Sequence, residues 1–292
     1  MVTVHNFSYG VLNPALGYAM SCVGSFLGLR CVTLARAYAG FAKARWLGLA
    51  AVSIGATGIW AMHFIAMLGF TIPGQQIGYN VPMTVASMLV AVAVVGAGLF
   101  IVGFGHGSRS RLVTGGVIVG LGVAAMHYLG MAAMSMTDSV SYNLPLLVLS
   151  VVIATVAGTV ALWAGTRVSR TRATVGAALI MGVAVSGSHY TAMAALQIHR
   201  PPMPSMAAMT TAGAATVSGA TAAVFLIPLL LVISIATFAV TLTITMAPGE
   251  DELQADAEMQ RRMEALQLRR DWSQVPSGPP LGWDDAIPED RF

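Results

Sequence analysis

Three short segments of the chain repeat one chemical pattern, a histidine on an apolar stretch with a methionine four residues later. The segments read AMHFIAM, AMHYLGM and SHYTAM, and their pairs are His63 with Met67, His127 with Met131, and His189 with Met193. Positions i and i+4 share one face of a helix, so each pair presents an imidazole and a thioether to the same side. These soft, neutral ligands favour a transition metal, copper above all, over calcium or magnesium.

The spacing of the histidines predicts a repeated structural unit. They are 64 and 62 residues apart, with one imidazole in each copy. A single histidine in a membrane helix is as consistent with a packed, hydrogen-bonded side chain as with a ligand, and methionine also fills helix interfaces. Three histidines at equivalent places favour a shared site. Possible accessory residues are Met62, Met126, Tyr128, Tyr190 and Asp138, the last of which could orient a histidine ring or face solvent.

Composition identifies a membrane protein. The 292 residues are 56% hydrophobic and 9% charged, with a mean hydropathy of +0.75. Of the 12 acidic residues, all but Asp138 lie at or after Glu250. The basic residues of the first part cluster in a few connections and form no nucleic-acid patch. We therefore expect a lipid bilayer, and no nucleic acid, as partner.

Apolar runs predict seven transmembrane helices and an all-α, polytopic helix bundle. The runs lie at about 10–34, 46–70, 82–104, 112–136, 144–165, 174–198 and 221–246. Basic residues follow the first, third and fifth helices: Arg30, Arg36, Lys43, Arg45, Arg109, Arg111, Arg167, Arg170 and Arg172. This asymmetry predicts an N-terminus outside, a cytoplasmic C-terminus and a multi-pass protein of the bacterial plasma (inner) membrane.

The expected domains are a membrane sensor domain over 1–249 and a cytoplasmic part over 250–292, a charged helix followed by a disordered tail. Each histidine follows the last preceding basic residue by 16 to 18 positions. At 1.5 Å per residue, the imidazoles lie roughly 24 to 27 Å from the inner boundary, in the outer part of the layer. Small residues near the motifs predict close helix packing: Gly55, Gly58, Gly120, Gly122, Gly182 and Gly187.

These motifs resemble the bacterial MHYT domain, an integral membrane sensory module, over roughly 10–246. The motif falls on Met62-His63-Phe64, Met126-His127-Tyr128 and His189-Tyr190-Thr191, with Ser188 in place of the third methionine and Phe64 in place of the first tyrosine. The resemblance implies a metal, copper, held by these residues and the sensing of oxygen, carbon monoxide or nitric oxide. Family members often continue into diguanylate cyclase or phosphodiesterase domains. This chain looks like a stand-alone form that signals through its tail or an unknown cytoplasmic partner.

Two other functions stay open, and enzymatic catalysis has the least support. Copper transport or delivery could use a methionine-rich arm with Met203, Met206 and Met209. Haem-binding electron transfer could use two of the imidazoles as axial ligands. The membrane region has one carboxylate and no nucleophile placed beside a base, so we expect no enzyme.

Overall fold

The computed structural model describes residues 5–73, 75–105, 108–136, 139–199, 219–247 and 250–274. Among these residues, seven helices are long and apolar enough to cross a membrane, which confirms the predicted polytopic bundle. They are α1 (Leu12–Ala37), α2 (Gly40–Leu68), α3 (Val81–Gly103), α4 (Arg109–Ala132), α5 (Leu144–Arg167), α6 (Thr171–Ala194) and α7 (Ala222–Thr245). Short strands follow or precede them: β1 (Gly78–Tyr79), β2 (Met134–Ser135), β3 (Ser139–Tyr142), β4 (Leu196–His199) and β5 (Ala220–Thr221).

The bounds of α3, α5 and α7 agree with the predicted ones within two residues, whereas α2 and α6 differ by more. Helix α2 begins at Gly40 instead of 46, so Lys43 and Arg45 are already helical. Helix α6 ends at Ala194 instead of 198, because the chain turns into β4, which pairs with β3. Hydropathy locates the apolar centre of a span and carries little information about such polar ends.

Helices α3 and α5 begin with the same capping arrangement. Asn80 precedes α3, and its side chain accepts a hydrogen bond from the Met83 N–H at 3.1 Å. Asn143 precedes α5, and its side chain accepts from the Leu146 N–H at 3.3 Å. A proline, Pro82 or Pro145, follows two residues after each cap, where the missing N–H costs nothing. The caps fix where two of the spans begin.

Six of the helices form a closed ring of three hairpins. The hairpins are α1 with α2, α3 with α4, and α5 with α6, and each second helix carries one of the motif histidines. Neighbouring hairpins meet where α2 packs on α3, α4 on α5, and α6 on α1. Helix α7 packs against α1 and the middle of α2. The repeat predicted from histidine spacing is therefore a two-helix hairpin.

Each hairpin is closed at the end near its histidine, which we call the histidine end. Backbone N–H groups of Ser8, Asn80 and Asn143 donate to the carbonyls of Gly69, Ala133 and Ala195 at 3.0, 2.8 and 2.8 Å. Every acceptor lies six residues after its histidine. Antiparallel pairs extend these contacts: His5 with Thr71, β1 with β2, and β3 with β4. Strand β5 adds to β1 from the segment before α7.

Glycines let neighbouring helices approach closely at most of the predicted positions. A Cβ on Gly120 would lie 2.2 Å from Thr155 Cα, and a Cβ on Gly55 would lie 2.8 Å from Val92 Cα. Similar clashes arise at Gly122 and Gly182, and ordinary van der Waals contact at Gly58. The prediction for Gly187 is wrong, since a Cβ there would meet none of the described atoms within 4 Å.

Helix α2 contains a π-helical segment, Ser53–Ala61, directly before Met62 and His63. All nine residues of this segment are buried. Thr57 within it shares a hydrogen bond with Thr237 of α7, with 2.8 Å between the two hydroxyl oxygens. A π turn widens the helix locally and often accompanies functional positions. The segment thus connects the first histidine to the seventh helix.

The chain divides into two compact units, Met1–Thr245 and Met246–Phe292. The described part of the second unit includes helix α8 (Glu250–Gln274). Met259, Met263 and Leu266 are exposed on this helix. Their helical spacing places exposed apolar side chains along α8, and Leu268 is exposed on it as well.

Candidate metal centre

The ring brings the three motif histidines together in its interior. His63, His127 and His189 are each at most 5% exposed. Nδ1 of His63 lies 3.1 Å from Nδ1 of His189 and 3.2 Å from Nδ1 of His127. The ring centroids are 4.8 to 5.2 Å apart, and every pair meets edge to face. Histidines that are more than 60 residues apart in sequence therefore direct the same nitrogen to one point.

Protein groups alone leave these ring nitrogens poorly satisfied. A neutral imidazole carries one N–H, so Nδ1 of His63 cannot serve both neighbouring Nδ1 atoms well. Nε2 of His63 and Nε2 of His127 are also buried without a hydrogen-bond partner. Buried polar atoms are normally paired, and unpaired ones call for a physical reason. A cation held by the three Nδ1 lone pairs would account for the close Nδ1 contacts, and each Nε2 would then carry the N–H of its ring.

The nitrogen positions fit a shared metal ion. Ligands at about 2.0–2.1 Å from one ion lie roughly 3.3–3.5 Å from each other, close to the separations found here. The three histidines form a group whose ligand atoms all lie within 4.8 Å of one another. The site therefore has the composition and size of a three-imidazole metal centre, and no charged residue is needed to build it.

Gly130 provides the space behind the first histidine. A Cβ added to this residue would lie 2.7 Å from Nε2 of His63 and 3.4 Å from Phe64. Gly130 lies on α4, three residues after His127, so the second hairpin makes room for the imidazole of the first. The position of His63 depends on this missing side chain.

An aromatic ring packs on each histidine edge to face. Phe64 meets His63 at 4.7 Å, Tyr128 meets His127 at 5.1 Å, and Tyr190 meets His189 at 4.9 Å between centroids. The rings form an apolar wall that excludes water from the imidazoles. Tyr128 and Tyr190, predicted as accessory residues, thus lie beside the site.

A second set of aromatic residues links the hairpins in cyclic order. Phe64 contacts Tyr79 of the second hairpin, Tyr128 contacts Tyr142 of the third, and Tyr190 contacts Phe7 of the first. Burial raises the pKa of Tyr79 to about 12, and burial together with the neighbouring Tyr128 raises the pKa of Tyr142. Both phenols therefore stay neutral at physiological pH. Each of these contacts links the aromatic residue beside one histidine to the next hairpin.

The Ser150 hydroxyl connects the third hairpin to the second, and the Ser188 hydroxyl bonds within the third. The Tyr128 hydroxyl and Ser150 Oγ lie 3.0 Å apart. Ser188, which stands where the third motif should have methionine, donates to the Ser150 carbonyl at 3.3 Å. Thr191, at the last motif position, donates instead to the Gly187 carbonyl of its own helix. The departure at Ser188 thus exchanges an apolar contact for a hydrogen bond between α6 and α5.

The predicted methionines are buried on the same helices. Met67, Met131 and Met193 are 2 to 4% exposed and belong to one cluster of buried residues. Met62 and Met126, each 2% exposed, lie directly before their histidines. The imidazoles are the groups that the fold brings into mutual contact, and a ligand role of the thioethers stays a prediction. Asp138 and the arm with Met203, Met206 and Met209 lie outside the described residues.

Sequence reasoning missed Phe7, Tyr79, Tyr142, Ser150 and Gly130. A signal existed for two of them, since Tyr79 and Tyr142 each begin a YNxP segment, 63 residues apart, which matches the histidine repeat. No comparable pattern marks Ser150 or Gly130. Their roles come from helix packing alone.

The fold and the site together define a multi-pass membrane protein in which three repeated hairpins surround a buried histidine triad. The model of the MHYT family, described as "Bacterial signalling protein N terminal repeat", matches residues 57–115 and 120–178. Through this region the chain belongs to the MHYT family. The two matches contain His63 and His127, and the geometry described above identifies the hairpin of His189 as a third copy.

Curated relatives are signalling proteins of greater length. The chain is similar to the bifunctional diguanylate cyclase/cyclic di-GMP phosphodiesterase MucR of Pseudomonas aeruginosa, with 39% identity over 198 residues, 65% of this chain and 28% of the relative. It is 34% identical to the cyclic di-GMP phosphodiesterase NbdA of the same organism over 205 residues, 68% of this chain and 26% of the relative. An uncharacterized signaling protein of Caulobacter vibrioides is 36% identical over 182 residues, 62% and 22% of the two chains.

The chain spans about a quarter of the length of these relatives. No solved structure matches it.

Proposed function

We propose that the membrane unit is a sensory domain that holds a metal ion, copper, on His63, His127 and His189. The observation that carries this proposal is the convergence of three buried Nδ1 atoms, two pairs of them 3.1 and 3.2 Å apart. Such an arrangement is costly without a cation, because Nδ1 of His63 cannot form a full hydrogen bond with two other buried Nδ1 atoms at once. A sensory role agrees with the signalling relatives.

The choice of copper rests on the donor set. Imidazole and thioether are neutral, soft or borderline ligands, and residues 1–249 contain a single carboxylate, Asp138. Met67, Met131 and Met193 are the candidates for further ligands. When bound, copper supplies a redox-active centre with affinity for oxygen, carbon monoxide or nitric oxide. The protein residues hold the imidazoles in place, exclude water with their aromatic wall and keep the site free of competing charge.

The output would leave through α7. The π segment of α2 ends next to Met62 and His63, and its Thr57 bonds to Thr237 of α7. A shift of His63 would therefore be transmitted to α7. The chain continues beyond the end of α7 at Thr245. We propose that the end with the basic connections faces the cytoplasm of a bacterium, with the protein in the inner membrane. A cytoplasmic partner would read the signal, and the two relatives that act on cyclic di-GMP suggest that this partner is a cyclic di-GMP enzyme.

A sensor fits the interior of the ring better than a copper transporter does. Between the histidines and the basic connections, the ring interior is lined by apolar residues such as Ile54, Val95 and Leu99. The hydroxyls of Ser53 and Thr174 in this half donate to carbonyls of their own helices. The residues that line this void therefore offer a transported ion no soft or polar side chain.

The geometry also argues against haem. Two axial imidazoles need a porphyrin plane between their nitrogens. Nitrogens of His63, His127 and His189 within hydrogen-bonding distance leave no room for it. We propose likewise that this chain is no enzyme and that catalysis belongs to its partner, because aromatic rings pack on the described histidines and the nearby Ser150 and Ser188 hydroxyls donate to backbone carbonyls.

The test is metal analysis of detergent-purified protein after copper loading, with an optical spectrum. We expect near-stoichiometric copper in the wild type and less than about a tenth of it in His63→Ala, His127→Ala and His189→Ala. His199→Ala is the matched control, because His199 is exposed and lies outside the triad. Size-exclusion profiles verify that each variant is folded. Full copper occupancy in the three folded triad variants, or an equal loss in His199→Ala, would contradict the proposal, and a Soret band would favour haem.

A further inference from the structure

The end of the ring opposite the histidines contains a large cavity. We call this the basic end, because it carries the α1–α2, α3–α4 and α5–α6 connections with their cationic residues. The cavity has a volume of about 690 Å³ and lies among α1, α2, α3, α4 and α5. This volume is in the range of small-molecule binding sites. The metal site at the other end makes no use of it.

The mouth of the cavity is strongly positive. Five of its lining residues are cationic: Arg36, Lys43, Arg109, Arg111 and Arg167. Only one acidic residue, Asp138, occurs in residues 1–249, and in the sequence it lies between α4 and α5. Residues 1–249 thus supply five cations to this mouth and contain one carboxylate in their whole sequence. An anionic group is the natural complement.

Neutral neighbours hold two of the cations in place. Arg36 Nη1 donates to the Thr166 carbonyl at 3.0 Å, and Lys43 Nζ lies 5.2 Å from the centre of the Phe104 ring. Contacts of this kind orient a side chain and leave its charge unchanged. Neighbours thus orient Arg36 and Lys43 at the mouth, and the four arginines of this cationic rim are exposed to solvent.

The inner wall of the cavity is apolar. Leu47, Leu99, Val102 and Leu162 line it below the cationic rim. Leu99 and Leu162 also line a smaller void that leads further into the ring. A ligand that fills this space needs an apolar part several carbon atoms long joined to an anionic group. The cavity lies at the ends of membrane spans, where phospholipids present both parts at this depth.

We propose that this cavity binds one anionic phospholipid, with its phosphate on the cationic rim and part of an acyl chain among the leucines. Basic pockets between transmembrane helices are known to suit such headgroups. Inorganic phosphate shares the anionic chemistry and would leave the apolar wall unfilled. The cavity lining does not include the histidine triad, so the lipid proposal can be tested separately from metal binding.

Native mass spectrometry of the full-length protein tests the proposal by titration with phosphatidylglycerol, phosphatidylcholine or inorganic phosphate. We expect one phosphatidylglycerol per chain and an apparent Kd at least roughly tenfold higher in the triple variant Arg109→Gln/Arg111→Gln/Arg167→Gln. The matched control is Arg45→Gln/Arg170→Gln/Arg172→Gln, which removes the same charge outside the cavity lining. Its Kd should change by less than about twofold.

A second pair of variants tests the apolar part. Val113 lines the cavity and Val117, one turn further along α4, does not. Val113→Trp should lower lipid occupancy, whereas Val117→Trp should leave it unchanged. Equal weakening in the two arginine variants, equal binding of phosphatidylcholine, or displacement of the lipid by inorganic phosphate at similar concentration would each overturn the proposal.

Discussion

At the histidine end, strand pairs and three equivalent backbone hydrogen bonds hold the helix ends together, whereas at the basic end five cations surround a cavity of about 690 Å³. The first end buries neutral polar groups and brings them into close mutual contact. The second leaves charges at the surface and space between the helices. The comparison teaches that one ring of hairpins can support a rigid centre at one end and a ligand-sized opening at the other.

The largest expected effect comes from metal at the histidine end. Free copper at about a hundred times its Kd should stabilise the wild-type protein by about 2.7 kcal/mol, because only the folded ring assembles the three imidazoles. The shift should vanish in His63→Ala and on addition of a chelator. Thermal unfolding in detergent measures it, with His199→Ala as control. A copper-induced shift of the same size in His63→Ala would mean that the ion binds elsewhere.

The next effect sharpens the claim that the histidine end is tightly packed. Gly130→Ala should destabilise the protein by about 1–3 kcal/mol and lower its copper affinity, since the added Cβ collides with Nε2 of His63. Gly176→Ala is the matched control, because a Cβ there meets none of the described atoms within 4 Å. Unfolding curves of both variants measure their stability, and copper titrations measure their copper affinity. Equal behaviour of the two variants would show that His63 has room to move.

A smaller effect tests whether the hairpins are equivalent at this end. Asn80→Ala and Asn143→Ala should each cost about 1 kcal/mol, because each removes a side-chain cap from a helix with a proline in its first turn. Replacement by Asp keeps an acceptor and should restore most of the loss. Denaturant titration in mixed micelles compares the four variants. A loss of stability in only one of the two alanine variants would mean that the hairpins are equivalent in their backbone hydrogen bonds but not in their side-chain caps.

The smallest effect belongs to the basic end. Lys43→Met should change stability by only about 0.5–1 kcal/mol, the usual range for an ammonium group near one aromatic face. Phe104→Leu and the double variant complete a double-mutant cycle that isolates this contact. A coupling as large as the effect of Gly130→Ala would contradict the contrast between the two ends.

Much of the fold could be predicted from the sequence. Runs of apolar residues predicted all seven spans, and the spacing of His63, His127 and His189 predicted the repeat. The ends of α2 and α6 were less predictable, because strand pairing and polar helix turns leave little hydropathy signal. The π segment of α2 has no distinctive composition, so only the structure reveals it.

The sequence predicts which three histidines form the site, but it does not predict how their rings are oriented. Equal depth in the membrane predicted that the three histidines meet. Which nitrogen each ring directs inward depends on its side-chain rotamer and on neighbours such as Gly130, and helix periodicity does not specify either. The prediction of close packing at Gly187 was wrong for the same reason, because it also depends on neighbouring elements. A glycine near a motif indicates close packing only when another helix lies opposite it.

The cyclic order of the aromatic contacts has a consequence for the origin of the chain. Each hairpin closes on itself and reaches forward to the next through one aromatic pair, which is the head-to-tail interface of a three-fold symmetric ring. Three separate copies of one hairpin could form the same centre, with one imidazole from each. Tethering such copies in a single gene frees them to diverge, and Phe64 and Ser188 are places where two copies already differ while every copy keeps its histidine.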